Sequence, residues 1–203
     1  MTTPDRVRLD PQTLRGVAHP LRVRLLGLLR QDGPSTASRL AERTGQSSGA
    51  TSYHLRQLAN HGFVVEEPAL GAGRERWWRA VHRSSTMEAA DVRSAPVEAE
   101  AYMRAVASEY ADRVERWVGD LPALPTEWDQ GATLSDWRLR LTADEAHRLL
   151  ADLEAVIRSY RTDEPDGERP EGTERVILQL QLMPFLATAA PGSQKPESQK
   201  PGS

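Results

Sequence analysis

The spacing of apolar residues changes at Gly62, from the period of a helix to the alternation of a strand. Before this glycine, leucine and valine recur every three or four residues, as they do on the buried face of a helix. After it, Phe63–Glu67 and Arg74–Val81 are short strand-like runs on either side of a glycine-containing loop. This order predicts several short helices followed by one β-hairpin.

Prolines and glycines divide the region before Gly62 into four predicted helices. Asp10 and Pro11 have the residue types of an N-cap and a first helical position, and Pro20 interrupts the apolar pattern that follows. The predicted helices cover about residues 11–18, 20–30, 36–44 and 48–60. A tight turn between the last two helices, with a hairpin after them, is typical of a winged helix-turn-helix.

The fourth predicted helix has an apolar stripe and a polar face. Thr51, Leu55 and Leu58 lie within about 60° of one another on a helical wheel, so they predict the inward side. The opposite side chains are small or polar, as a helix that reads base edges requires. Serines before the helix favour a phosphate at its N-terminus, and arginines of the hairpin favour the neighbouring DNA backbone. The predicted DNA-contacting residues are Ser47, Ser48, Gly49, Ala50, Ser52, Tyr53, Arg56, Gln57, Arg74 and Arg76.

Charge is distributed unevenly along the chain. Residues 1–84 contain 13 arginines and 7 acidic residues, which gives +6, whereas residues 85–203 contain 13 basic and 22 acidic residues, which gives −9. The asymmetry predicts a polyanion-binding module joined to a part that does not bind nucleic acid. The longest mostly apolar stretch, residues 176–190, is too short and too polar to span a bilayer. Because the first residues also lack a secretion signal, we expect a cytoplasmic protein with no membrane partner.

The second half of the sequence alternates between helical and strand-like patterns. An amphipathic helix is predicted from Pro96 to Asp120, and its apolar stripe is typical of an interface with a partner helix. Residues 137–141 and 176–183 alternate as half-buried strands do, and a capping box at Thr142 begins a helix between them. The predicted dimer-interface residues are Met103, Val106, Tyr110, Val114, Trp117 and Leu121.

These patterns together predict a mainly α protein with a small β content, in the α+β class. It comprises a winged helix-turn-helix, a long dimerisation helix and a small strand–helix–strand module. The predicted divisions are a flexible N-terminus at 1–9, the DNA-binding domain at 10–84, a connector and dimerisation helix at 85–135, the C-terminal module at 136–186 and a disordered tail at 187–203.

Four stretches of the sequence resemble the ArsR-type winged-helix transcriptional regulators. They are Gly16–Leu26, Leu40–Gly45, Ser52–Ala59 and His61–Val64, in the order of that family's first helices and of its S-x-H-L-x-x-L-x-x-x-G-L-V segment. The resemblance covers about residues 10–84. It implies a homodimer that binds an imperfect palindrome in double-stranded DNA and represses transcription until a signal releases it. The half-sites of such a dimer lie about one helical turn apart.

The sequence departs from the metal-sensing members of this family. It contains no cysteine, and none of its five histidines forms an i, i+4 pair with an acidic residue. We therefore predict no metal site of the usual kind and no cofactor, although sites of oxygen and nitrogen ligands alone stay open. The sequence has neither the pattern of a catalytic triad nor that of a phosphate-binding loop, so we predict that the chain is not an enzyme.

Two alternatives to a simple repressor stay open. In the first, the winged helix is a protein-interaction module without specific DNA binding, although the arginines of the fourth helix and hairpin argue against it. In the second, a hydrophobic small molecule controls the regulator from the C-terminal half. The aromatic residues that either line such a pocket or fill a core are Tyr102, Tyr110, Trp117, Trp128 and Trp137.

Overall fold

The computed structural model describes residues 6–70, 75–163 and 170–185. The α-helices in these ranges are α1 (Pro11–Val17), α2 (Pro20–Asp32), α3 (Ala37–Thr44), α4 (Ser48–Asn60), α5 (Ala89–Ser94), α6 (Pro96–Asp120) and α7 (Ala143–Arg158). The strands are β1 (Arg6–Arg8), β2 (Ser35–Thr36), β3 (Val64–Glu66), β4 (Trp77–Ala80) and β5 (Ser84–Thr86). The predicted α+β class and the helices and hairpin of the winged helix-turn-helix are confirmed. None of the described helices combines the length and apolar character needed to cross a bilayer.

Side-chain caps fix where the first four helices begin. The carboxylate of Asp10 accepts two backbone hydrogen bonds from the first turn of α1. His19, Thr36 and Ser47 cap α2, α3 and α4 in the same way, through a ring nitrogen or a hydroxyl oxygen. α3 ends at Gly45, whose φ of 66° is a left-handed conformation that glycine adopts without strain. The tight turn between α3 and α4 therefore follows from local sequence.

The hairpin shares its small sheet with the segment before α3. β4 is the middle strand and runs antiparallel to both β2 and β3. Ser35 and Glu66 are the partners of Trp78 on either side of it. The Trp78 side chain is buried in the hydrophobic core, so it attaches the hairpin to the helices.

The core lies between the helices and the base of the hairpin. Leucines from each of α1 to α4 meet Phe63, Val64 and Trp78 there. Ala95 and Ala99 join them from the start of α6, and α6 packs against α1 and α2. The first half of the long helix is therefore part of the same core as the winged helix-turn-helix.

Residues 6–9 are part of this fold, and the prediction of a flexible N-terminus is wrong for them. β1 pairs with β5 in parallel, Leu9 is completely buried, and its N–H donates to the carbonyl of Thr86 at 2.7 Å. The Arg8 guanidinium donates two hydrogen bonds of 3.0 Å to Asp91 and thereby lowers the pKa of that carboxyl. A strand of three residues is too short to show alternation, and its partner is distant in the sequence. Residues 1–5 lie outside the described residues.

The described residues 136–162 and 174–185 form a second compact unit. Its helix α7 begins at the predicted capping box, where Thr142 and Glu145 each accept a hydrogen bond from the other's backbone N–H. The two predicted strands of this unit are not observed. Among the described residues, neither 137–141 nor 176–183 forms backbone hydrogen bonds with a neighbouring strand. Alternation predicts a half-buried strand, but it does not identify the neighbouring backbone with which that strand would form hydrogen bonds. The predicted disordered tail at 187–203 lies outside the described residues.

Candidate nucleic-acid interface

The inward face of α4 is the one predicted from the sequence. Thr51, Leu55 and Leu58 have no exposed surface, and α4 packs against α1, α2 and α3. This packing fixes the rotation of the helix about its own axis. The residues on the opposite side are therefore held outward by the core and not by their own interactions.

That outward side brings together seven of the residues predicted to contact DNA. The exposed members are Ser48, Gly49, Tyr53 and Arg56, and the partly buried members at the edges are Ala50, Ser52 and Gln57. Tyr53 is the largest of them and has 53% of its surface accessible. Their position on one surface is as predicted, whereas their contact with DNA stays a prediction.

The first turn of α4 has the geometry of an anion-binding helix end. Ser47 is the N-cap, and its Oγ accepts a hydrogen bond from the N–H of Ala50 at 3.2 Å. Backbone N–H groups at a helix N-terminus have no partner within the helix, and the helix dipole favours an anion there. A Cβ added to Gly49 would meet only the Ser47 Oγ, at 4.0 Å. Folding therefore does not require a glycine at residue 49, and its smallness leaves space beside the helix.

The hairpin arginines are paired with glutamates of the same hairpin. Arg76 Nη1 lies 2.9 Å from Glu66 Oε1, and Arg79 Nε lies 2.6 Å from Glu67 Oε2. Exposed ion pairs of this kind contribute little to stability, so a phosphate oxygen can replace the Glu66 carboxylate at Arg76. Arg74, the other hairpin residue predicted to contact DNA, lies outside the described residues.

An open groove of about 490 Å³ separates the C-terminal half of α4 from the hairpin. Arg56 and Gln57 lie on its helical side, and Glu66 and Trp78 lie on its hairpin side. Two residues of the polar face of α4 therefore border the same groove as the hairpin. The Arg39 guanidinium of α3 lies 4.9 Å from the centre of the Trp77 ring, which adds a cation close to the hairpin.

A cluster of basic side chains between α2 and α4 was missed in the sequence. The ring centres of His19 and His54 are 4.4 Å apart. Burial lowers the pKa of both imidazoles, and the charges of His19 and Arg22 lower that of His54 further. The Nδ1 of His54 and the Nε of Arg22 are buried without a hydrogen-bond partner among the described residues. Nothing in the spacing of these residues reveals the cluster, because packing of α2 on α4 creates it.

The predicted dimer stripe of α6 is partly exposed in the single chain. Met103 has 54% of its surface accessible, and Leu121, which directly follows the last residue of α6, has 40%. The partly buried members between them are Val106, Tyr110, Val114 and Trp117. Tyr102, one position before the stripe, packs against the core, where burial raises the pKa of its hydroxyl. Their role in dimerisation stays a prediction.

The absence of a usual metal site stays a prediction, and the aromatic-pocket alternative stays open. No group of three or more potential metal-ligating side chains comes together in the described part of the chain. Trp128 lies beside Gly131, and Trp137 in the second unit is 78% exposed. The groove beside α4 is lined by none of the five aromatic residues considered for a ligand pocket.

Residues 17–67 match the family described as a helix-turn-helix domain. Among solved structures, a possible transcriptional regulator for arsenical resistance is similar at 28% identity, over 55% of this chain and 96% of that one, with a TM-score of 0.31. A mutant of ZitR from Lactococcus lactis in its apo form is similar at 17% identity, over 70% and 82% of the two chains, with a TM-score of 0.29. RV1404 from Mycobacterium tuberculosis is similar at 16% identity, over 73% and 82%, with a TM-score of 0.31. No curated protein matches the chain.

The matched range runs from the end of α1 through α4 to the hairpin, and it contains the buried stripe and the polar face of α4. It falls within residues 10–84, where the sequence resembles ArsR-type regulators, and it confirms that resemblance. The matched helix-turn-helix family consists of transcriptional regulators and not of enzymes. Residues 17–67 are therefore a helix-turn-helix domain, which supports a DNA-binding transcriptional regulator, and this part of the chain resembles the ArsR-type winged helices.

Proposed function

We propose that the chain is a homodimeric repressor that binds a palindromic operator through the polar face of α4. The observation that carries the proposal is the exposed surface formed by the first turn of α4, Tyr53 and Arg56 beside the hairpin. Small residues in the first turn allow the helix to approach base edges in a major groove. Arginines of α4 and the hairpin neutralise phosphates on either side of that groove.

Two copies related by a two-fold axis would place two α4 helices in successive major grooves, with half-site centres about 34 Å apart. The exposed residues of the α6 stripe, Met103 and Leu121, support a contact between copies there.

Repression and its release by a signal come from the ArsR resemblance. A hydrophobic small molecule is one candidate signal, and ligand-dependent quenching of tryptophan fluorescence together with operator release would identify it.

The test is binding of the purified chain to the DNA upstream of its own gene, compared with scrambled DNA, at two salt concentrations. Tight, sequence-dependent and salt-sensitive binding is the expected result. Weak and equal binding to both DNAs, even with added candidate signals, would instead favour the protein-interaction module.

Substitutions on the outer face of α4 test the base-reading role. Tyr53→Ala or Gln57→Ala is expected to reduce the ratio of operator to scrambled-DNA affinity by about 5- to 150-fold, since a base contact discriminates by about 1–3 kcal/mol. Fluorescence anisotropy with both DNAs measures this ratio. Gln130→Ala, at an exposed glutamine outside the winged helix, is the control and should leave it unchanged. An unchanged ratio in both α4 variants would contradict the assignment of this face.

A hairpin substitution tests the backbone-contacting role. Arg76→Ala is expected to weaken operator and scrambled DNA by about the same factor and to lower the salt-dependence slope by about one. The matched control is Arg104→Ala on α6, because Arg104 is also exposed and paired with a glutamate, Glu100, at 2.7 Å. If Arg76→Ala and Arg104→Ala changed the DNA affinity and its salt dependence equally, the hairpin would not be the surface that contacts the DNA backbone.

A further inference from the structure

The second compact unit leaves most of its apolar side chains exposed. Of the twenty-two large apolar residues exposed in the described part of the chain, fourteen lie in residues 136–162 and 174–185. α7 has no buried residue, although its sequence is amphipathic. The exposed fractions of Trp137, Tyr160 and Phe185 are 78%, 73% and 93%.

The uncovered area is large enough for an interface. Because an aromatic side chain buries about 150–250 Å², these three aromatic residues at their exposures offer roughly 400–600 Å². Eleven aliphatic and methionine side chains of the same unit add to that area. Each partner in a stable complex buries about 800 Å², so the summed exposed apolar area of this unit is of the size that one partner contributes.

The charge of this unit indicates what kind of partner covers it. Residues 136–162 and 174–185 contain six acidic and six basic side chains, so their formal charges cancel. A polyanion or a strongly charged protein therefore gains no net electrostatic attraction from it. A second copy of the same unit meets no net repulsion, and the 176–183 segment contains no charged residue at all.

The 176–183 segment is also complementary to itself. It alternates with Val176, Leu178, Leu180 and Leu182 on one face, and it contains neither proline nor glycine. An interface with two-fold symmetry uses the same surface on both copies, so a segment at its centre must tolerate its own side chains opposite. The 137–141 segment does not meet this requirement, because Arg138 and Arg140 would oppose like charges across such a pair.

We propose that residues 136–162 and 174–185 are a self-association unit, in which the 176–183 segments of two copies pair as antiparallel strands about a two-fold axis. Isolated strand pairs are marginal unless a helix or further strands cover their apolar face. Two copies supply two such strands and two amphipathic α7 helices. This pairing is an interface additional to the α6 stripe, and it does not depend on DNA binding.

The natural sequence has no cysteine, so single cysteines introduced into the full chain report contacts between copies. The scan comprises I177C, L178C, Q179C, L180C, Q181C and L182C, with Glu42→Cys on the exposed surface of α3 as the control. Directly opposed residues of antiparallel strands lie about 4.5–5.5 Å apart at Cα, within disulfide range. One residue from the axis, the two counterparts are displaced by a further ~7 Å along the strands. Oxidation without DNA is therefore expected to give one sharp maximum of cross-linked dimer.

Three results would overturn the proposal. Cross-linking no greater than that of the Glu42→Cys control at every position would mean that the segments do not meet. Equal cross-linking at all six positions would indicate parallel stacking instead of a closed two-fold pair. Sedimentation of the unmodified chain at 22.5 kDa, at tens of micromolar, would mean that the unit does not self-associate and that another partner covers it.

A matched pair of substitutions tests the energetic contribution of the apolar face. Leu180→Arg is expected to raise the dimer dissociation constant at least tenfold by sedimentation equilibrium, whereas Gln181→Arg on the other face should change it less than twofold. Circular dichroism checks that both variants keep their helix content. Equal effects of the two substitutions would contradict the assigned face, whatever their effect on DNA binding.

Discussion

Two glycines in neighbouring helices have opposite surroundings. A Cβ added to Gly16 of α1 would lie 2.5 Å from the Cγ of His61, whereas one added to Gly27 of α2 would meet nothing within 4 Å. At Gly16, therefore, the absence of a side chain lets α1 approach the end of α4. At Gly27 it only gives the unfolded chain more freedom.

Substitution by alanine is expected to separate these two cases. Gly16→Ala should lower the free energy of unfolding by about 1–3 kcal/mol, since an added methyl in a tight contact forces its neighbours apart. Gly27→Ala should raise it by about 0.5–1 kcal/mol, through helix propensity. Urea unfolding measures both. A stabilised Gly16→Ala variant would show that α1 and the end of α4 are not in this close contact.

At the scale of elements, the packing of α2 against α4 places two imidazoles and a guanidinium together. His19 caps α2, His54 lies on α4, and both have a pKa below the ordinary value because burial and neighbouring positive charge disfavour the imidazolium. In the unfolded chain the same groups titrate near pH 6.5. The unfolded state therefore binds more protons than the folded state as the pH falls below that value.

Stability should consequently be highest above about pH 7 and fall as the pH drops through about 6.5 towards the folded-state pKa values. His54→Gln removes one of the two groups, so the loss in free energy of unfolding between pH 7.5 and 5.5 is expected to be smaller than in the natural chain. His147→Gln, at an exposed histidine of α7, is the control. Urea titrations at both pH values provide the comparison, and identical pH dependence in the two variants would contradict a role for the His19–His54 pair.

At the scale of the whole molecule, the sequence predicted the features that depend on residues close together in the chain. The starts of α1, α3, α4 and α7 depend on capping side chains within a few residues, and the inward stripe of α4 on the helical period, so both are readable in the sequence. β1 depends on a partner at residues 84–86, and the His19–His54 cluster on the packing of two helices. Neither has a local pattern. The predicted C-terminal strands show the same limit, because alternation does not identify a neighbouring backbone.

The parallel pairing of β1 with β5 has a consequence for how the chain is made. Arg6 pairs with Ser84, so β1 needs a partner that is translated 78 residues later. At about 5–20 residues per second, that interval is roughly 4–16 s. During translation, α2, α3, α4 and the hairpin are complete before β1 can pair, and the Leu9 N–H can donate to the Thr86 carbonyl only afterwards. The order of assembly on the ribosome therefore differs from the order of synthesis, and β1 is fixed in place after the helix-turn-helix.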